Sequence, residues 1–267
     1  MIAAQQVSAP VDVIKKRYSV TELFGPTMQG EGIMVGRRTA FLRLHFCDGD
    51  GFGNWCSWCD TKYTWDKNDP AFKNYQRLTA AEIVSKVSEL YGIDPEESDK
   101  IYEPMWVTIS GGNPVMQLDD DLVDLLKGAG YKLQVETQGT IWKPCLMRCD
   151  KVVVSPKAPS SGLVPLEPKQ VDLWLAMRQR ASFKIVVFDD TDFDWADRLY
   201  AYVRKRAPSG MPEFCLQAGT SVTGDVTEVL LKKYQWLVEK WLASGKMSQA
   251  IVLPQVHALV WGRRKGV

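Results

Sequence analysis

The chain has 267 residues, 45% of them hydrophobic, and its 33 Lys and Arg residues nearly balance 32 Asp and Glu residues, for a formal net charge of +1. This balance gives no general electrostatic reason to expect nucleic acid or a membrane surface as a partner, and no apolar run approaches the roughly 18–20 residues of a membrane span. The first residues lack the basic-then-apolar order of a signal peptide. We therefore expect a cytoplasmic protein, with a flexible extension over residues 1–17 and a single domain over residues 18–267.

Short apolar runs alternate with amphipathic stretches along the chain. We predict strands over residues 39–46, 105–110, 132–136, 151–155, 182–188, 213–217 and 249–253. Several of these runs are continuously apolar and β-branched, as in strands that are buried on both faces. The Pro-containing segments 156–168 and 207–212 are predicted loops.

Helical patterns lie between the predicted strands. Thr79 and Glu82 form a capping-box pattern that opens one helix. Further helices are predicted over residues 118–128, from a cap at Thr191 or Asp192 to Arg206, and over residues 226–242. Alternation of strands and helices favours an α/β fold with a parallel sheet. The number of strands indicates an incomplete TIM-type barrel with flanking helices.

Unusual polar and glycine-rich stretches lie where predicted strands end. They are Cys47, residues 110–114 (SGGNP), residues 136–139 (ETQG), residues 155–157 (SPK) and Gln217. Ligands gather at the carboxyl ends of the strands in parallel α/β folds. We therefore expect these groups to meet at one mouth and to belong to a single active site.

Three of the six cysteines, Cys47, Cys56 and Cys59, are clustered, whereas the others are scattered. Clustered cysteines in a cytosolic chain favour metal or redox chemistry over disulfides. The Gly-rich residues 48–54 let Cys47 fold back toward the C-x-x-C pair. Three thiolates fit a [4Fe–4S] cluster that keeps one iron open. A zinc site, which takes four ligands and has His45 as a nearby candidate, is an alternative, as are incidental thiols or a redox pair.

The segment from Cys47 to Cys59 resembles the cysteine motif of the radical S-adenosylmethionine (SAM) superfamily, although its first gap is eight residues long instead of three. One branch tolerates a longer gap: the 7-carboxy-7-deazaguanine synthase family of 7-deazapurine (queuosine) biosynthesis. Further matches to this family follow in order: residues 24–32 (FGPTMQGEG), 41–43 (FLR), 56–61 (CSWCDT), 107–114 (VTISGGNP), 135–140 (VETQGT), 155–157 (SPK), 253–257 (LPQVH), 261–262 (WG) and 266–267 (GV). The resemblance extends from about Tyr18 to the C-terminus.

This resemblance implies a radical SAM core with a [4Fe–4S] cluster on Cys47, Cys56 and Cys59, SAM on the open iron and a 5′-deoxyadenosyl radical as the reactive species. It implies that 6-carboxy-5,6,7,8-tetrahydropterin is converted to 7-carboxy-7-deazaguanine with ring contraction and loss of ammonia. Mg²⁺, an electron donor such as flavodoxin or ferredoxin, and a homodimer are implied as well.

The resemblance also assigns roles to individual positions. Thr61 matches the Mg²⁺ ligand, and a hydroxyl is the hard oxygen donor that suits this ion. SAM binding is assigned to Gly112, Glu136, Ser155, Pro156, Lys157 and Gln217. Substrate binding is assigned to Met28, Gln29, Gly30, Arg43, Ser110 and the C-terminal Val267, with Arg43 suited to a bidentate grip on the substrate carboxylate. No catalytic side chain is expected beyond the cluster and the SAM radical.

Other residues are given weaker or different roles. The resemblance makes residues 24–32 a substrate loop, which we expect Glu31 to assist, and we expect residues 48–55 to form a loop over the cluster. His257, Trp55, Trp58, Tyr63 and Trp65 are predicted to serve core or rim packing. Two other hypotheses stay open: a different radical SAM enzyme, such as an activase for a glycyl-radical enzyme, and a zinc-stabilised binding module.

Overall fold

A computed structural model describes residues 15–93, 103–166, 168–208, 210–219, 226–262, 264 and 266–267. Its strands are β1 (Arg17–Met28), β2 (Arg38–Leu44), β3 (Gln76–Thr79), β4 (Trp106–Gly111), β5 (Lys132–Thr137), β6 (Lys151–Val154), β7 (Ala181–Val187), β8 (Glu213–Ala218) and β9 (Ile251–Leu253). Its α-helices are α1 (Ala80–Tyr91), α2 (Asp120–Gly128), α3 (Pro168–Leu175), α4 (Asp190–Arg206), α5 (Val226–Ser244) and α6 (Val256–Trp261). The predicted extension lies mostly outside the described residues, and β1 begins at its last residue, Arg17.

Within the described residues, the strands form one open sheet in the order β3-β1-β2-β4-β5-β6-β7-β8-β9. Strand β1 pairs antiparallel with both β2 and β3. Every other neighbouring pair, from β2–β4 to β8–β9, is parallel. The fold class predicted from the sequence, an incomplete parallel barrel with flanking helices, is confirmed. The parallel strands end at the same edge, which is where their following loops meet.

The seven predicted strands are all present, within about two residues at each end, but β1 and β3 were not predicted. Strand β1 lacks a continuous apolar signal because it is only half-buried beyond Val20. It also contains Gly25 and Pro26, where its register against β2 shifts between Phe24 and Thr27. Strand β3 is four residues long, and its first two residues are exposed.

The helix predictions hold at one cap and fail at another. At the start of α1, the Glu82 backbone N–H donates to Thr79 Oγ1 at 3.2 Å, and Glu82 Oε2 accepts from the Thr79 N–H at 2.7 Å, which confirms the capping box. The predicted cap of α4 at Thr191 or Asp192 is wrong, because Asp189 caps this helix.

Asp192 is unavailable as a cap because its carboxylate serves a different purpose. The side chain is fully buried and accepts the backbone N–H groups of Ser160 and Phe188, each at 2.9 Å. Asp192 therefore ties the loop after β6 to the end of β7. Helix α3 was also not predicted. It begins at Pro168, the last residue of the segment 156–168 that was predicted to be a loop.

The core consists of the apolar side chains of the central strands and of the helices that cover them. Val107, Ile109, Leu133 and Val135 on β4 and β5 are completely buried. The intervening Thr108 and Gln134 are also buried, so both faces of these strands are covered although their sequences alternate between apolar and polar residues. None of the helices in the described part of the chain is long and apolar enough to cross a membrane.

Candidate active site

A cavity lies at the edge where β2, β4, β5 and β6 end. The described residues that line it include most of those assigned a role from the sequence: Met28, Gln29, Gly30, Arg43, Cys47, Cys56, Cys59, Thr61, Ser110, Gly112, Glu136, Ser155, Lys157 and Val267. Residues that are far apart in the sequence, from β1 to the C-terminus, are thus brought together. This is the convergence that the strand-end pattern predicts.

Two assigned residues do not line the cavity. Pro156 is buried between the lining residues Ser155 and Lys157. The Gln217 side chain forms two hydrogen bonds to the backbone of other segments. Its Oε1 accepts the Gly32 N–H at 3.4 Å, and its Nε2 donates to the Pro254 carbonyl at 3.2 Å. In this arrangement Gln217 joins the end of β8 to Gly32 and Pro254, and its assigned contact with SAM stays a prediction.

The three clustered cysteines carry free thiols that are half-buried. Burial raises the pKa of Cys47 to about 12 and also raises that of Cys56, although the positive charge of Lys157 acts in the opposite direction on both. Iron binds thiolates, so these groups would have to lose their protons to hold an iron–sulfur cluster. The positive charge of Lys157 would favour the thiolate form.

The spread of the thiols bears on the kind of metal centre that they can hold. Among the residues that the structure describes, no three His, Cys, Asp or Glu side chains are grouped closely enough to hold one metal ion. A [4Fe–4S] cluster takes each thiolate on a different iron, so its ligands surround it instead of meeting at a point. Three half-buried thiols around one cavity fit such a cluster.

The long gap between Cys47 and Cys56 is anchored through its first residue, Asp48. One carboxylate oxygen of Asp48 accepts from Asn113 Nδ2 at 2.8 Å and Gln138 Nε2 at 2.9 Å. The other accepts from Thr140 Oγ1 at 2.6 Å. These partners follow β4 and β5, so Asp48 fixes the start of the loop to the edge of the sheet.

The remainder of the loop is held by Asp50. Its carboxylate accepts the backbone N–H groups of Phe52 at 2.8 Å and Asn54 at 3.2 Å, and it also accepts from Asn54 Nδ2 at 2.8 Å. Such turns, in which a side chain replaces a backbone acceptor, are common for Asp. The gap is therefore an ordered loop beside Cys47, with Phe52 82% exposed at its tip. Its position relative to a bound cluster stays a prediction.

Gly112 permits a close approach between the ends of β2 and β4. A Cβ at this position would lie 2.2 Å from the Phe46 carbonyl oxygen and 2.7 Å from Cys47 Cβ. The neighbouring Asn113 N–H donates to that same carbonyl at 2.9 Å. The backbone around Cys47 is thus packed directly against the glycine pair.

Replacing Gly112 by Ala should displace Cys47, because the added methyl group overlaps backbone that has no room to move. We expect iron uptake during anaerobic reconstitution to fall several-fold, as measured by iron and sulfide analysis. Gly128→Ala is the matched control, since a Cβ there meets nothing within 4 Å at the end of α2. Equal iron uptake by both variants would contradict this account of the glycine.

Gln29 and Glu136 form part of the polar wall of the cavity. Glu136 Oε1 accepts from Gln29 Nε2 at 3.0 Å and from Gln134 Nε2 at 3.1 Å. Gln29 Oε1 accepts the Glu31 N–H at 3.1 Å. The Gln29 amide is therefore oriented by two partners within the protein, and its predicted contact with a substrate is not tested by this geometry.

A buried ion pair between Lys184 and Glu31 also lies in this wall. Their side chains are only 8% and 18% exposed, and Gln255 Nε2 donates to the other Glu31 oxygen at 2.7 Å. Burial alone would raise the pKa of Glu31, but the charges of Lys184 and His257 and the hydrogen bonds from Lys184 and Gln255 together outweigh it and lower this pKa to about 2. Burial would lower the pKa of Lys184, but the negative charges of Glu31 and Glu136 raise it overall. Both groups are therefore charged at neutral pH.

Lys184 was not among the residues assigned from the sequence. The signal that identifies it is a lysine within the apolar strand β7 (ASFKIVV), because a buried lysine needs a negatively charged partner. His257, which was expected to pack, also lines the cavity and lies against Gly30, where a Cβ would come within 2.2 Å of its Nδ1.

Arg43 is held in the cavity by Glu22 from the neighbouring strand. Arg43 Nε donates to Glu22 Oε2 at 2.7 Å, and the Tyr63 hydroxyl donates to the same oxygen at 3.2 Å. The guanidinium group thus has the partner that an arginine on a largely buried strand requires. This bond fixes the direction from which Arg43 approaches the cavity.

The open, mostly parallel sheet, with three cysteines and a glycine pair at the mouth formed by its strand ends, has the arrangement expected of a radical SAM enzyme. No protein-family model matches the chain. The chain belongs to the 7-carboxy-7-deazaguanine synthase family. It is 38% identical to the enzyme of that name from Bacillus cereus over 255 residues, which cover 93% of this chain and 98% of the relative.

Two further comparisons agree with this assignment. The 7-carboxy-7-deazaguanine synthase of Bacillus subtilis is 38% identical over 264 residues, which cover 94% of this chain and 99% of the relative. The crystal structure of QueE from Escherichia coli matches with a TM-score of 0.63 and 25% identity, over 90% of this chain and 95% of that one. The similarity therefore extends over nearly the whole chain.

Proposed function

We propose that this protein converts 6-carboxy-5,6,7,8-tetrahydropterin to 7-carboxy-7-deazaguanine with loss of ammonia. The observation that carries the proposal is that most of the residues matching the family's cluster, SAM and substrate positions line one cavity, although they lie between Met28 and Val267 in the sequence. Relatives named for this product cover nearly the whole chain at 38% identity. The substrate itself is inferred from the resemblance.

We propose that Cys47, Cys56 and Cys59 hold a [4Fe–4S] cluster with SAM on its open iron. When bound, the cluster and SAM supply the radical chemistry of the reaction. The close approach at Gly112 places its backbone directly beside Cys47, where Gly112 would contact SAM as the resemblance implies. Gln29 and Gln134 orient Glu136. Its carboxylate is then placed to accept hydrogen bonds from hydroxyl groups of SAM.

The substrate end of the cavity is built from charged groups. We propose that Arg43, oriented by Glu22 at 2.7 Å, binds the carboxylate of the pterin. We also propose that Thr61 binds Mg²⁺, which needs few protein ligands when substrate oxygens and water complete its shell. Thr61 lines the same cavity as Arg43 and Val267, so ion and substrate can meet there.

The partners and the cellular location complete the proposal. A flavodoxin or a ferredoxin supplies the electron, and the protein acts as a homodimer, both as the resemblance implies. The cytoplasm is its location, which suits six cysteines that are all free thiols in the structure. Sedimentation at micromolar concentration tests the dimer, for which a single species of about twice the 30.1 kDa chain mass is expected.

SAM cleavage with and without the pterin tests the assignment of the substrate. The anaerobically reconstituted protein should release 5′-deoxyadenosine faster when carboxytetrahydropterin is present. Cleavage that does not respond to the pterin would reject the substrate and would favour another radical SAM activity, such as that of an activase. Thr61→Ala should weaken the stimulation by Mg²⁺ while iron content stays normal.

A further inference from the structure

Trp65 donates a hydrogen bond to one of the clustered cysteines. Its Nε1–H donates to Cys59 Sγ at 3.3 Å, and its ring lines the cavity. Thr61 Oγ1 also lies 3.6 Å from this sulfur, but its oxygen is proposed to serve Mg²⁺. An indole has one donor and no acceptor, so a hydrogen bond from Trp65 to sulfur can run in only one direction.

A second indole holds Trp65 in this position. The rings of Trp55 and Trp65 are parallel to within 1°, and their centroids are 4.7 Å apart. Trp55 is itself fixed, because its Nε1 donates to the Cys47 carbonyl at 3.3 Å. Trp55 lies in the long gap between Cys47 and Cys56. The longer gap therefore contributes an aromatic ring that confines the donor at Cys59.

We propose that Trp65 is a positioning residue that raises the reduction potential of the cluster, and that Trp55 keeps its N–H aimed at Cys59. The inference rests on the proposed cluster at Cys47, Cys56 and Cys59. Reduction adds one electron and breaks no bond, so it increases the negative charge on the sulfur atoms. A hydrogen bond donated to sulfur stabilises the reduced, more negative cluster more than the oxidised cluster. Hydrogen bonds to sulfur are a recognised determinant of cluster potential.

The chain offers a matched control for this effect. Trp58 also lines the cavity and lies between Cys56 and Cys59, but its Nε1 donates to Ser160 Oγ at 3.1 Å and not to a cysteine. Trp65→Phe and Trp58→Phe therefore remove the same group from similar places. Only the first change removes a donor to sulfur.

The test is a potentiometric titration of the anaerobically reconstituted full-length protein, followed by the electron paramagnetic resonance signal of the reduced cluster. Trp65→Phe should lower the equilibrium constant for reduction about tenfold, which is a shift of about 59 mV to more negative potential for a one-electron couple. Trp58→Phe should leave the midpoint unchanged. An unchanged midpoint in Trp65→Phe, or equal shifts in both variants, would overturn the inference.

A further variant covers the case in which Trp65→Phe loses its cluster. Trp55→Ala keeps the donor but removes the ring that confines it, so the midpoint should move in the same direction by a smaller amount. No shift in a cluster-containing Trp55→Ala protein would then overturn the inference. If the wild-type protein forms no [4Fe–4S] signal, the proposed cluster fails as well, and this outcome is distinct from a normal signal with an unaltered midpoint.

Discussion

Replacing Lys184 by Met should destabilise the protein by about 3–5 kcal/mol, because it leaves the Glu31 carboxylate buried without its positive partner. The two side chains are 8% and 18% exposed, so water can replace little of the lost interaction. Urea unfolding followed by circular dichroism measures the change in the free energy of unfolding. The double variant Lys184→Met/Glu31→Gln should recover most of the loss, since no charge is then left uncompensated. A single variant as stable as the wild type would contradict the assignment of this ion pair.

The same pair predicts how stability depends on pH. The pKa of Glu31 falls from 4.5 to about 2 in the folded state. A lowered folded-state pKa gives stability that is present above the unfolded pKa and is lost as the pH falls toward the folded pKa. Between about pH 5 and pH 2 the wild type should lose about 3 kcal/mol through this group. The double variant should lose less over the same range, and an identical loss in both proteins would show that Glu31 is not responsible.

Replacing Cys56 by Ser should abolish cluster binding and turnover. A serine hydroxyl is a poor substitute for a thiolate, and two thiolates hold the cluster far less firmly than three. Iron analysis after anaerobic reconstitution should fall from about four ions per chain to near zero, with product formation below detection. The matched control is Cys215→Ala, which removes a buried thiol of β8 that does not line the cavity. Normal iron content and turnover in Cys56→Ser would refute the role of this cysteine.

The central parallel strands are predictable because they are buried on both faces. Val152, Val153 and Val154 on β6 are buried in succession, and such a strand reads as an unbroken apolar run. Strand β1 has no equivalent signal, since it is half-buried and shifts register near Gly25. Its existence depends on β2 as a partner, which no local pattern specifies.

The site shows the same division between local and long-range information. The cysteines, Gly112 and Lys157 belong to short motifs that the sequence displays directly. The pairing of Lys184 with Glu31 joins residues 153 positions apart, so it follows only from the place of β7 in the sheet. A lysine among apolar residues signals that a partner exists but does not identify it. Likewise, the sequence favoured packing roles for Trp55 and Trp65, and only the folded loop shows their hydrogen bonds to the Cys47 carbonyl and to Cys59 Sγ.

The central claim is that the cavity converts a carboxytetrahydropterin to 7-carboxy-7-deazaguanine. Mass spectrometry of the products formed by the anaerobically reconstituted protein, with SAM, Mg²⁺ and a low-potential reductant, tests it most directly. We expect a deazaguanine product at the mass that corresponds to loss of ammonia from the pterin, formed in proportion to the cluster-containing protein and absent with Cys56→Ser. An intact [4Fe–4S] cluster that cleaves SAM but forms no deazaguanine product would contradict this function.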